Sequence, residues 1–315
     1  MLVLDCMHIS GHDARMTTRR IELVEVGPRD GLQNEPTVVG TAAKVAYVEA
    51  LVAAGLRRIE ATSFVHPGRV PQMADADELM RAVPRRDGVR YSGLVVNRRG
   101  FDRALGAGVD EVNVVVVATE TFSQRNQGMT VDEGVRTFAE ISRLAHQAGL
   151  GVTVTIGAAF GCPFEGEVAT EQVVGLVHRC VDGGADEVVL ADTIGVGVPA
   201  DVHRLVSAVR DEHDVPLRFH FHNTRNTGYA NAWTAVELGA VALDASSGGI
   251  GGCPFAPAAT GNIATEDLAW MLSRSKVETG VALDGLLSAS SHIEGELGRP
   301  VPALLGRAGP FPPAG

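Results

Sequence analysis

The sequence predicts an α/β protein folded as a (β/α)8 TIM barrel with an extra C-terminal helical segment. One sequence pattern recurs at 51–62, 104–117, 145–156, 182–193 and 236–247. In each copy, a helix-like segment ends in small residues and glycine and is followed by a β-branched stretch. Strand candidates alternate with helical stretches, which is the order of a parallel α/β fold. The Gly-x-Gly-x-x-Gly fingerprint of dinucleotide-binding folds is absent after the first strand, where GPRDG stands.

The predicted strands are rich in valine, isoleucine and leucine, which is typical of parallel strands buried on both faces. Glycine at the end of the preceding helix fits a left-handed helix cap. The predicted strands are 22–26, 57–62, 91–96, 111–117, 152–158, 187–191, 217–222 and 241–246. Their spacing leaves room for one helix between neighbours, and it favours a closed barrel over the alternative, a doubly wound open sheet.

Helix signals and composition shifts set the remaining boundaries. Thr130 and Glu133 form a capping-box pattern that predicts a helix to about Gln147. Residues 266–298 have a helical pattern and are expected to form a lid or cap. The domain prediction is an N-terminal arm, a barrel with C-terminal helices and an irregular, Pro/Gly-rich tail, with the boundaries 1–20, 21–298 and 299–315.

Composition and charge limit the partners of the protein. Apolar residues make up 45% and charged residues 21% of the chain, as in ordinary globular proteins, which excludes disorder as its main state. The formal net charge of -11 argues against nucleic acid and anionic membranes, because both repel an acidic surface. No export or membrane-spanning segment is visible. The cysteines form no CxxC pair, which disfavours structural zinc and disulfides and predicts a cytoplasmic protein.

Two histidines on the seventh predicted strand are the centre of the predicted site. His220 and His222 are two residues apart, so their side chains point to the same face of the strand. Asp30, after the first strand, and an amide oxygen such as that of Asn262 complete a mixed nitrogen and oxygen ligand set. Such a set suits an octahedral divalent ion, Mg²⁺, Mn²⁺, Co²⁺ or Zn²⁺. The alternative is that both histidines are hydrogen-bonded core residues.

Arg29 and Cys253 are the candidate catalytic groups beside this ligand set. Arg29 is expected to stabilise an oxyanion that develops on a substrate carbonyl. Its alternative role is a structural ion pair with Glu60 or Asp192, since a buried arginine needs a carboxylate partner. Cys253 lies in GGIGGCP, a glycine-rich segment built to move, which favours an acid/base or nucleophilic thiol over a packed structural one.

Several longer motifs give the sequence a specific resemblance. They are EVGPRDGLQNE (25–35), EATSFVHP (60–67), GCPFEGEV (161–168), ADTIGVG (191–197), FHFHNT (219–224) and GGIGGCPFAPAATGNIATEDL (248–268). With these motifs the chain closely resembles the 3-hydroxy-3-methylglutaryl-CoA lyases of the DRE-TIM metallolyase family, over about residues 20–295. The GGCP loop favours the lyases over the related isopropylmalate and homocitrate synthases.

The resemblance implies roles for the residues that match the family motifs. The implied ligands of a divalent cation are Asp30, His220, His222 and Asn262. The implied catalytic groups are Arg29, Cys253, Asp192 and Glu60. The implied substrate contacts are Gln33 and Glu266. The expected cation is Mg²⁺ or Mn²⁺, with Zn²⁺ and Co²⁺ as alternatives.

The reaction that the resemblance implies is a retro-Claisen cleavage of 3-hydroxy-3-methylglutaryl-CoA to acetyl-CoA and acetoacetate. The metal chelates the tertiary hydroxyl and the distal carboxylate of the substrate. Arg29 stabilises the enolate of acetyl-CoA, and a proton reaches carbon by way of Cys253. No redox cofactor is required, which agrees with the missing nucleotide fingerprint.

The chain departs from the family pattern at the rim of the pocket. In HFHNTRNTGYAN, Asn223 stands where the family usually has an aspartate, and Arg225 stands where it has an aromatic residue. Thr155 or Ile156 occupies a position where a tyrosine is frequent. The metal ligands are kept, so these changes put the acyl group in question more than the reaction.

The CoA phosphates require cations, which an acidic protein must supply locally. Arg225, and the pair Arg98 and Arg99 after the third strand, are the predicted CoA contacts, with a solvated surface as their alternative role. The predicted partner is therefore an acyl-CoA substrate. We also expect a homo-oligomer, because barrels of this kind often associate.

Three other functions stay open at this point. The same mechanism could act on a related 3-hydroxyacyl-CoA, such as citramalyl-CoA or a longer-branched glutaryl-CoA. The chemistry could run as an acetyl-CoA-dependent condensation, although such synthases usually carry a long C-terminal regulatory region. The chain could also be a metal-binding barrel without catalysis.

Overall fold

The computed structural model describes residues 19–252, 261–309 and 311. The strands in these residues are β1 Arg19–Arg20, β2 Glu22–Glu25, β3 Arg58–Ser63, β4 Arg90–Val95, β5 Glu111–Val117, β6 Gly151–Gly157, β7 Glu187–Asp192, β8 Leu217–Phe221, β9 Ala242–Ala245 and β10 Val277–Glu278. Strands β2 to β9 pair in parallel and in chain order, and β9 closes on β2. Each barrel strand ends within one residue of its predicted bounds, so the prediction of a (β/α)8 barrel is confirmed.

Helices connect the strands on the outside of the barrel. They are α1 Thr41–Ala53, α2 Ala76–Ala82, α3 Arg98–Ala107, α4 Glu120–Gln127, α5 Val131–Gln147, α6 Thr170–Asp182, α7 Pro199–Arg210, α8 Gly228–Glu237, α9 Thr265–Arg274, α10 Leu283–Leu297 and α11 Leu305–Ala308. The start of α5 is the predicted capping box: Thr130 Oγ1 accepts a hydrogen bond from the Glu133 amide at 3.1 Å, and the Glu133 carboxylate accepts one from the Thr130 amide at 2.8 Å.

The barrel interior contains charged groups below the mouth. Arg58 pairs with Glu111 at 2.8 Å and with Glu187 at 2.9 Å. Arg218 pairs with Glu187 at 3.2 Å and with Asp244 at 3.0 Å. Buried charges are stable only when they are paired, so these contacts fix the positions of the charged side chains inside the barrel.

The two ends of the described chain pack beside the barrel. Strand β1 is the described part of the predicted arm, and it pairs with β10 outside the barrel. The helical character predicted for 266–298 is confirmed by α9 and α10, and α10 packs against α1 and the 3-10 turn Ser247–Gly249. The role of this segment as a lid or cap stays a prediction. The predicted irregular tail contains one short helix, α11, whose first amides donate to the Asp267 carboxylate.

The cysteines that the structure describes are buried and free. Cys180 and Cys162 form no disulfide, and burial raises the pKa of Cys180 to about 12, so that thiol is unreactive. Cys6 and Cys253 lie outside the described residues.

None of the helices described here is both long enough and apolar enough to cross a membrane. The cytoplasmic location stays a prediction.

Candidate metal centre and active site

His220 and His222 both line one cavity at the mouth of the barrel, as their spacing predicts. Both side chains are buried. Their Nε2 atoms are 3.1 Å apart. Two ligand atoms bound at right angles, each ~2.1 Å from one cation, lie ~3.0 Å apart. The two imidazoles are therefore placed as neighbouring ligands of a single ion.

Asp30 supplies a carboxylate from a tight turn after β2. Residues Gly27–Gly31 form one π-helical turn, in which the amides of Asp30 and Gly31 donate to the Val26 carbonyl at 2.7 and 3.1 Å. The turn places Asp30 Oδ2 3.9 Å from His220 Nε2. Ligand atoms of an octahedral ion are ~3.0 to ~4.2 Å apart, so the carboxylate and the two imidazoles fit one divalent cation.

The electrostatics at Asp30 and His222 favour the protonation states that bind a cation. Burial alone would raise the pKa of Asp30, but Arg29 and the two histidines outweigh it and hold this pKa well below its ordinary value. Burial, with the neighbouring His220, lowers the pKa of His222 to about 3. An ionised carboxylate and a neutral imidazole are the forms that bind a metal. Burial alone would lower the pKa of His220, but the carboxylates of Asp244 and Asp30 outweigh it and raise this pKa, so metal binding at His220 would release a proton.

Asp244 on β9 orients His220. Its carboxylate is 3.2 Å from His220 Nδ1, on the strand position directly opposite His220. Burial works against an ionised Asp244, but Arg218 and His220 hold its pKa below the ordinary value. Nδ1 of His220 therefore donates to this carboxylate, and the Nε2 lone pair is left to face the cavity. Sequence reasoning missed Asp244, although a charged residue within an apolar strand was a usable signal.

Arg29 is held by carboxylates on two sides. Its Nε donates to Glu60 Oε2 at 2.6 Å, and its Nη1 is 2.5 Å from Asp30 Oδ1. The side chain is almost fully buried yet lines the cavity. The ion pair with Glu60, predicted as the structural role of this arginine, is thus present. It is compatible with the catalytic role, because the guanidinium still borders the cavity beside the ligand set.

A hydrogen-bonded chain of two further residues fixes Glu60. Asn113 Nδ2 donates to Glu60 Oε1 at 2.8 Å, and Thr155 Oγ1 donates to Asn113 Oδ1 at 2.8 Å. A β-bulge in β3 after Glu60 turns this part of the strand. Because Glu60 accepts from Asn113 on one oxygen and from Arg29 on the other, both oxygens of its side chain are fixed in position. Asn113 was not predicted, and Thr155 was noted only as a departure from the family.

Asn262 lies beside Asp30, as predicted. Its Nδ2 donates to Asp30 Oδ2 at 2.9 Å and to the Ile250 carbonyl at 3.0 Å. Gly251 has φ 101°, and a Cβ there would meet the Asp30 carbonyl oxygen at 2.7 Å, so only glycine fits this approach. The role of Asn262 as a ligand through its amide oxygen stays a prediction. Cys253, the predicted acid/base, lies outside the described residues.

Asp192 and Glu266 are buried and bind backbone amides. Asp192 accepts from Val196 and Gly197, each at 2.9 Å. Glu266 accepts from Gly248 at 3.0 Å and from Ser290. Neither borders the cavity, so the structure places Glu266 under the glycine-rich segment rather than against substrate, and Asp192 shapes the loop after β7.

The cavity has a volume of about 620 Å³. Its lining on β4 and β5 is apolar and includes Leu94, Val115 and Val117, and Gln33 also lines the cavity. Gln33 Oε1 accepts from Ser63 Oγ at 3.2 Å. This arrangement suits a small acyl group with a polar end at the ligand set and an apolar substituent against β5.

The predicted CoA contacts are not among the residues that line this cavity. Exposed Arg98 pairs with Asp102 at 2.8 Å, and exposed Arg99 is its neighbour on α3. Arg225 donates to the carbonyls of the loop after β7. Exposed Arg69, which the sequence reasoning did not select, does line the mouth of the cavity. The position of Arg69 depends on the conformation of the loop after β3, which no local sequence pattern predicts.

The HMGL-like family model matches residues 20–293. The chain belongs to the HMGL-like family. A curated (R)-citramalyl-CoA lyase from Chloroflexus aurantiacus is 45% identical over 304 residues, which cover 93% of this chain and 96% of that protein. A hydroxymethylglutaryl-CoA lyase from Bacillus subtilis is 39% identical over 286 residues, 90% of this chain and 96% of that protein.

Solved structures of HMG-CoA lyases agree with the fold described above. The B. subtilis enzyme has a TM-score of 0.90 at 38% identity, covering 92% of this chain and 98% of that one. An HMG-CoA lyase from Acinetobacter baumannii, in complex with coenzyme A and 3-methylmalate, has a TM-score of 0.90 at 39% identity, covering 94% of this chain and 97% of that one. The resemblance predicted from the motifs is confirmed, and the chain is a carbon–carbon lyase of a divalent-metal-dependent family.

Proposed function

We propose that the protein cleaves 3-hydroxy-3-methylglutaryl-CoA to acetyl-CoA and acetoacetate. The observation that carries this proposal is the convergence of Asp30, His220 and His222 beside Arg29, at a cavity of about 620 Å³. The HMG-CoA lyases of Bacillus subtilis and Bos taurus, 39% and 41% identical to the chain, support it. The complex of the A. baumannii enzyme supports an acyl-CoA as the substrate class.

The proposed cation site consists of Asp30, His220 and His222, with the amide oxygen of Asn262 as a fourth ligand. The mixed nitrogen and oxygen set is compatible with Mg²⁺, Mn²⁺, Co²⁺ or Zn²⁺. Mg²⁺ or Mn²⁺ is the cation proposed here, with Zn²⁺ and Co²⁺ as alternatives. Held by these residues, a divalent cation would supply Lewis acidity to the tertiary hydroxyl and the carboxylate of the substrate. Asp244 keeps the Nε2 lone pair of His220 directed at the site.

Arg29 is proposed to stabilise the enolate that the cleavage produces. Its guanidinium borders the cavity and is fixed by Glu60 and Asp30, so it need not reorganise when negative charge develops on the thioester oxygen. Glu60 thus acts on the reaction through Arg29. Asp192 is proposed to hold the loop after β7, because both of its carboxylate oxygens accept backbone amides.

The proposed cleavage breaks the C2–C3 bond of the substrate. A base takes the hydroxyl proton, C3 becomes the ketone carbon of acetoacetate, and the electron pair of the C2–C3 bond forms the enolate of the acetyl thioester. One proton added at C2 then gives acetyl-CoA. We propose Cys253 as the donor of this proton, and a Cys253→Ala variant with unchanged turnover would remove that role.

A second candidate substrate is citramalyl-CoA, which the same steps would cleave to acetyl-CoA and pyruvate. The 45% identity to the C. aurantiacus enzyme favours it. Thr155 or Ile156, at the position where the family resemblance implies a frequent tyrosine, also favours it. The carboxylate of this substrate is one carbon closer to the hydroxyl, so the acyl group is shorter. The wall formed by β5 and β6 is where the two substrates would be distinguished.

The CoA portion is proposed to leave the cavity past Arg69 and His66 on the loop after β3. Both residues line the cavity mouth, and both are exposed. An arginine there can bind a phosphate of CoA in an otherwise acidic protein. Arg98, Arg99 and Arg225 stay secondary candidates, since bound CoA extends well beyond the cavity.

A panel of CoA thioesters tests the proposed function. Purified protein with Mg²⁺ or Mn²⁺ is incubated with each substrate, and acetyl-CoA and the oxo acid are measured. Release of acetyl-CoA with acetoacetate supports the main proposal, and release with pyruvate supports the second candidate. No acetyl-CoA from either substrate would contradict both. Light scattering on the same sample tests the proposed homo-oligomer.

A further inference from the structure

A second group of metal-binding side chains lies on the outer surface, where helices α6 and α7 end. His178 lies one turn before the C-terminal end of α6, and Glu212 and His213 follow the end of α7. Their ligand atoms all lie within 4.8 Å of one another. None of the three lines the barrel cavity, so the proposed reaction does not use them.

The geometry fits a tetrahedral ion. Nδ1 of His178 and Nε2 of His213 are 3.2 Å apart. Two ligand nitrogens ~2.0–2.1 Å from one Zn²⁺ at the tetrahedral angle lie ~3.3 Å apart. The Glu212 carboxylate is 3.9 Å from the same His213 nitrogen. A small rotation of the exposed Glu212 side chain would bring it to bonding distance, and the fourth position is open to water.

Asp182 orients the first of these histidines. Its carboxylate is 3.3 Å from His178 Nε2, one helical turn further along α6. A carboxylate at this nitrogen makes it the protonated one and leaves Nδ1 with a free lone pair, which is the usual arrangement around a metal-bound histidine.

The local field favours a cation. Each helix has a partial negative charge at its C-terminal end, and α6 and α7 pack side by side with these ends together. Two arginines lie close to these ligands in the sequence, and both have other partners. Arg179, next to His178, pairs with Asp132 at 2.8 Å. Arg210, two residues before Glu212, directs its guanidinium at the Val215 carbonyl at 2.7 Å and pairs with Asp214 at 3.6 Å. The His178 side chain is 53% exposed, so an ion can enter from solvent.

We propose that His178, Glu212 and His213 form a surface site for a transition metal ion that binds both nitrogen and oxygen ligands, such as Zn²⁺. An ion there would join α6 to the segment after α7. The competing explanation is a simple hydrogen bond between the two imidazoles, in which the ring nitrogens need no metal.

Zinc stoichiometry of the purified, metal-stripped protein tests the proposal. Wild type, His178→Gln, Asp182→Asn and the control His203→Gln, an exposed histidine of α7, are equilibrated with Zn²⁺ and the bound ions are counted. We expect His178→Gln to bind one ion fewer than wild type and His203→Gln to match wild type. Asp182→Asn should weaken this binding about tenfold, as the loss of an orienting carboxylate does.

Equal stoichiometry and affinity in wild type and His178→Gln would overturn the surface site. Circular dichroism checks that the variants are folded. We expect them to fold, because the substituted side chains are exposed. Because the result is a difference between two proteins with the same barrel mouth, it does not depend on whether the cation site at Asp30 is occupied. Loss of the surface site would therefore change the zinc stoichiometry, whereas the absence of lyase activity would concern the barrel mouth alone.

Discussion

Arg29 combines a structural contact with a proposed catalytic role. It is buried between Asp30 and Glu60, and it borders the cavity where the thioester would lie. The structural pairing keeps the guanidinium in place before the reaction begins. Pre-organised charge of this kind contributes most in the transition state, where the enolate oxygen carries negative charge.

We predict that Arg29→Gln lowers kcat by about 10²- to 10³-fold, as the loss of one oxyanion donor does. Metal binding should persist, because Asp30 and both histidines are kept. Steady-state kinetics and Mn²⁺ titration measure the two effects. If Arg29→Gln unfolds the protein, shown by circular dichroism, the structural role outweighs the catalytic one.

Asn113 is predicted to position Arg29 through Glu60. Asn113→Leu keeps the approximate volume but removes the donor to Glu60 Oε1, so kcat should fall about tenfold with KM nearly unchanged, since a bond to a charged group is lost. Thr155→Ser keeps the hydroxyl that fixes the Asn113 amide and serves as the control. Wild-type kcat in Asn113→Leu would show that Glu60 needs no such support.

The sequence predicted the residues of the site that share a short pattern, and it missed those that meet only across strands. His220 and His222 follow from the two-residue period of a strand, and Asp30 from its place in a strand-end loop. The contacts of Asp244 and Asn113 depend on the register between neighbouring barrel strands. That register is set by the closed sheet and has no local signature.

At the scale of elements, two buried carboxyl groups support the glycine-rich segment. Glu25 accepts from the amides of Gly27 and Ser247, both at 2.8 Å, and from Thr265 Oγ1 at 2.7 Å. Glu266 accepts from the next amide, that of Gly248. Burial raises the pKa of Glu25 to about 8 and that of Glu266 to about 7. The end of β2, the 3-10 turn Ser247–Gly249 and α9 are thus joined by groups that titrate near neutral pH.

These shifts predict the direction of a pH effect. The folded protein holds the Glu25 proton more tightly than the unfolded chain, whose ordinary pKa is 4.5, so the free energy of unfolding falls as pH rises from 4.5 towards about 8. Relative to Glu25→Gln, wild type should lose up to about 1.4 kcal/mol per pH unit in this range. Urea unfolding at several pH values checks this, with the exposed Glu49→Gln as the control. Parallel pH curves for wild type and Glu25→Gln would contradict it.

The loop after β3 is predicted to bind CoA phosphate through Arg69. Arg69→Gln should raise KM for the acyl-CoA about tenfold and leave KM for the corresponding acyl-pantetheine unchanged, because only CoA carries the phosphates. Arg136→Gln on the surface of α5 is the matched control. Equal effects on both substrates would assign Arg69 a role in acyl binding or in folding instead.

The regular elements were predictable to within one residue at the barrel strands, whereas short elements were not. Buried β-branched runs and helix caps are local signals, so β5 and α5 follow from their own residues. Strand β1 and helix α11 are short segments that exist through pairing with β10 and capping by Asp267. Tertiary contacts, not local propensity, fix such segments.

At the scale of the whole molecule, barrel closure creates the site. Strands β2 and β8 are far apart in the sequence, and closure through β9 brings the turn that carries Asp30 next to His220. The fold class was sufficient to predict this convergence, because all strand ends of a parallel barrel meet at one mouth. It was not sufficient to place the CoA-binding cations, since long loops take courses that the barrel does not dictate.

Metal binding by a ligand variant tests the central claim most directly. Metal-stripped wild type and His220→Gln are titrated with Mn²⁺, and acetyl-CoA release is measured in the same samples. We predict that wild type binds Mn²⁺ and gains activity with it. His220→Gln should bind Mn²⁺ at least about 100-fold more weakly and stay inactive. Full activity in metal-stripped wild type, or equally tight Mn²⁺ binding by His220→Gln, would contradict the assignment of Asp30, His220 and His222 as the catalytic metal site.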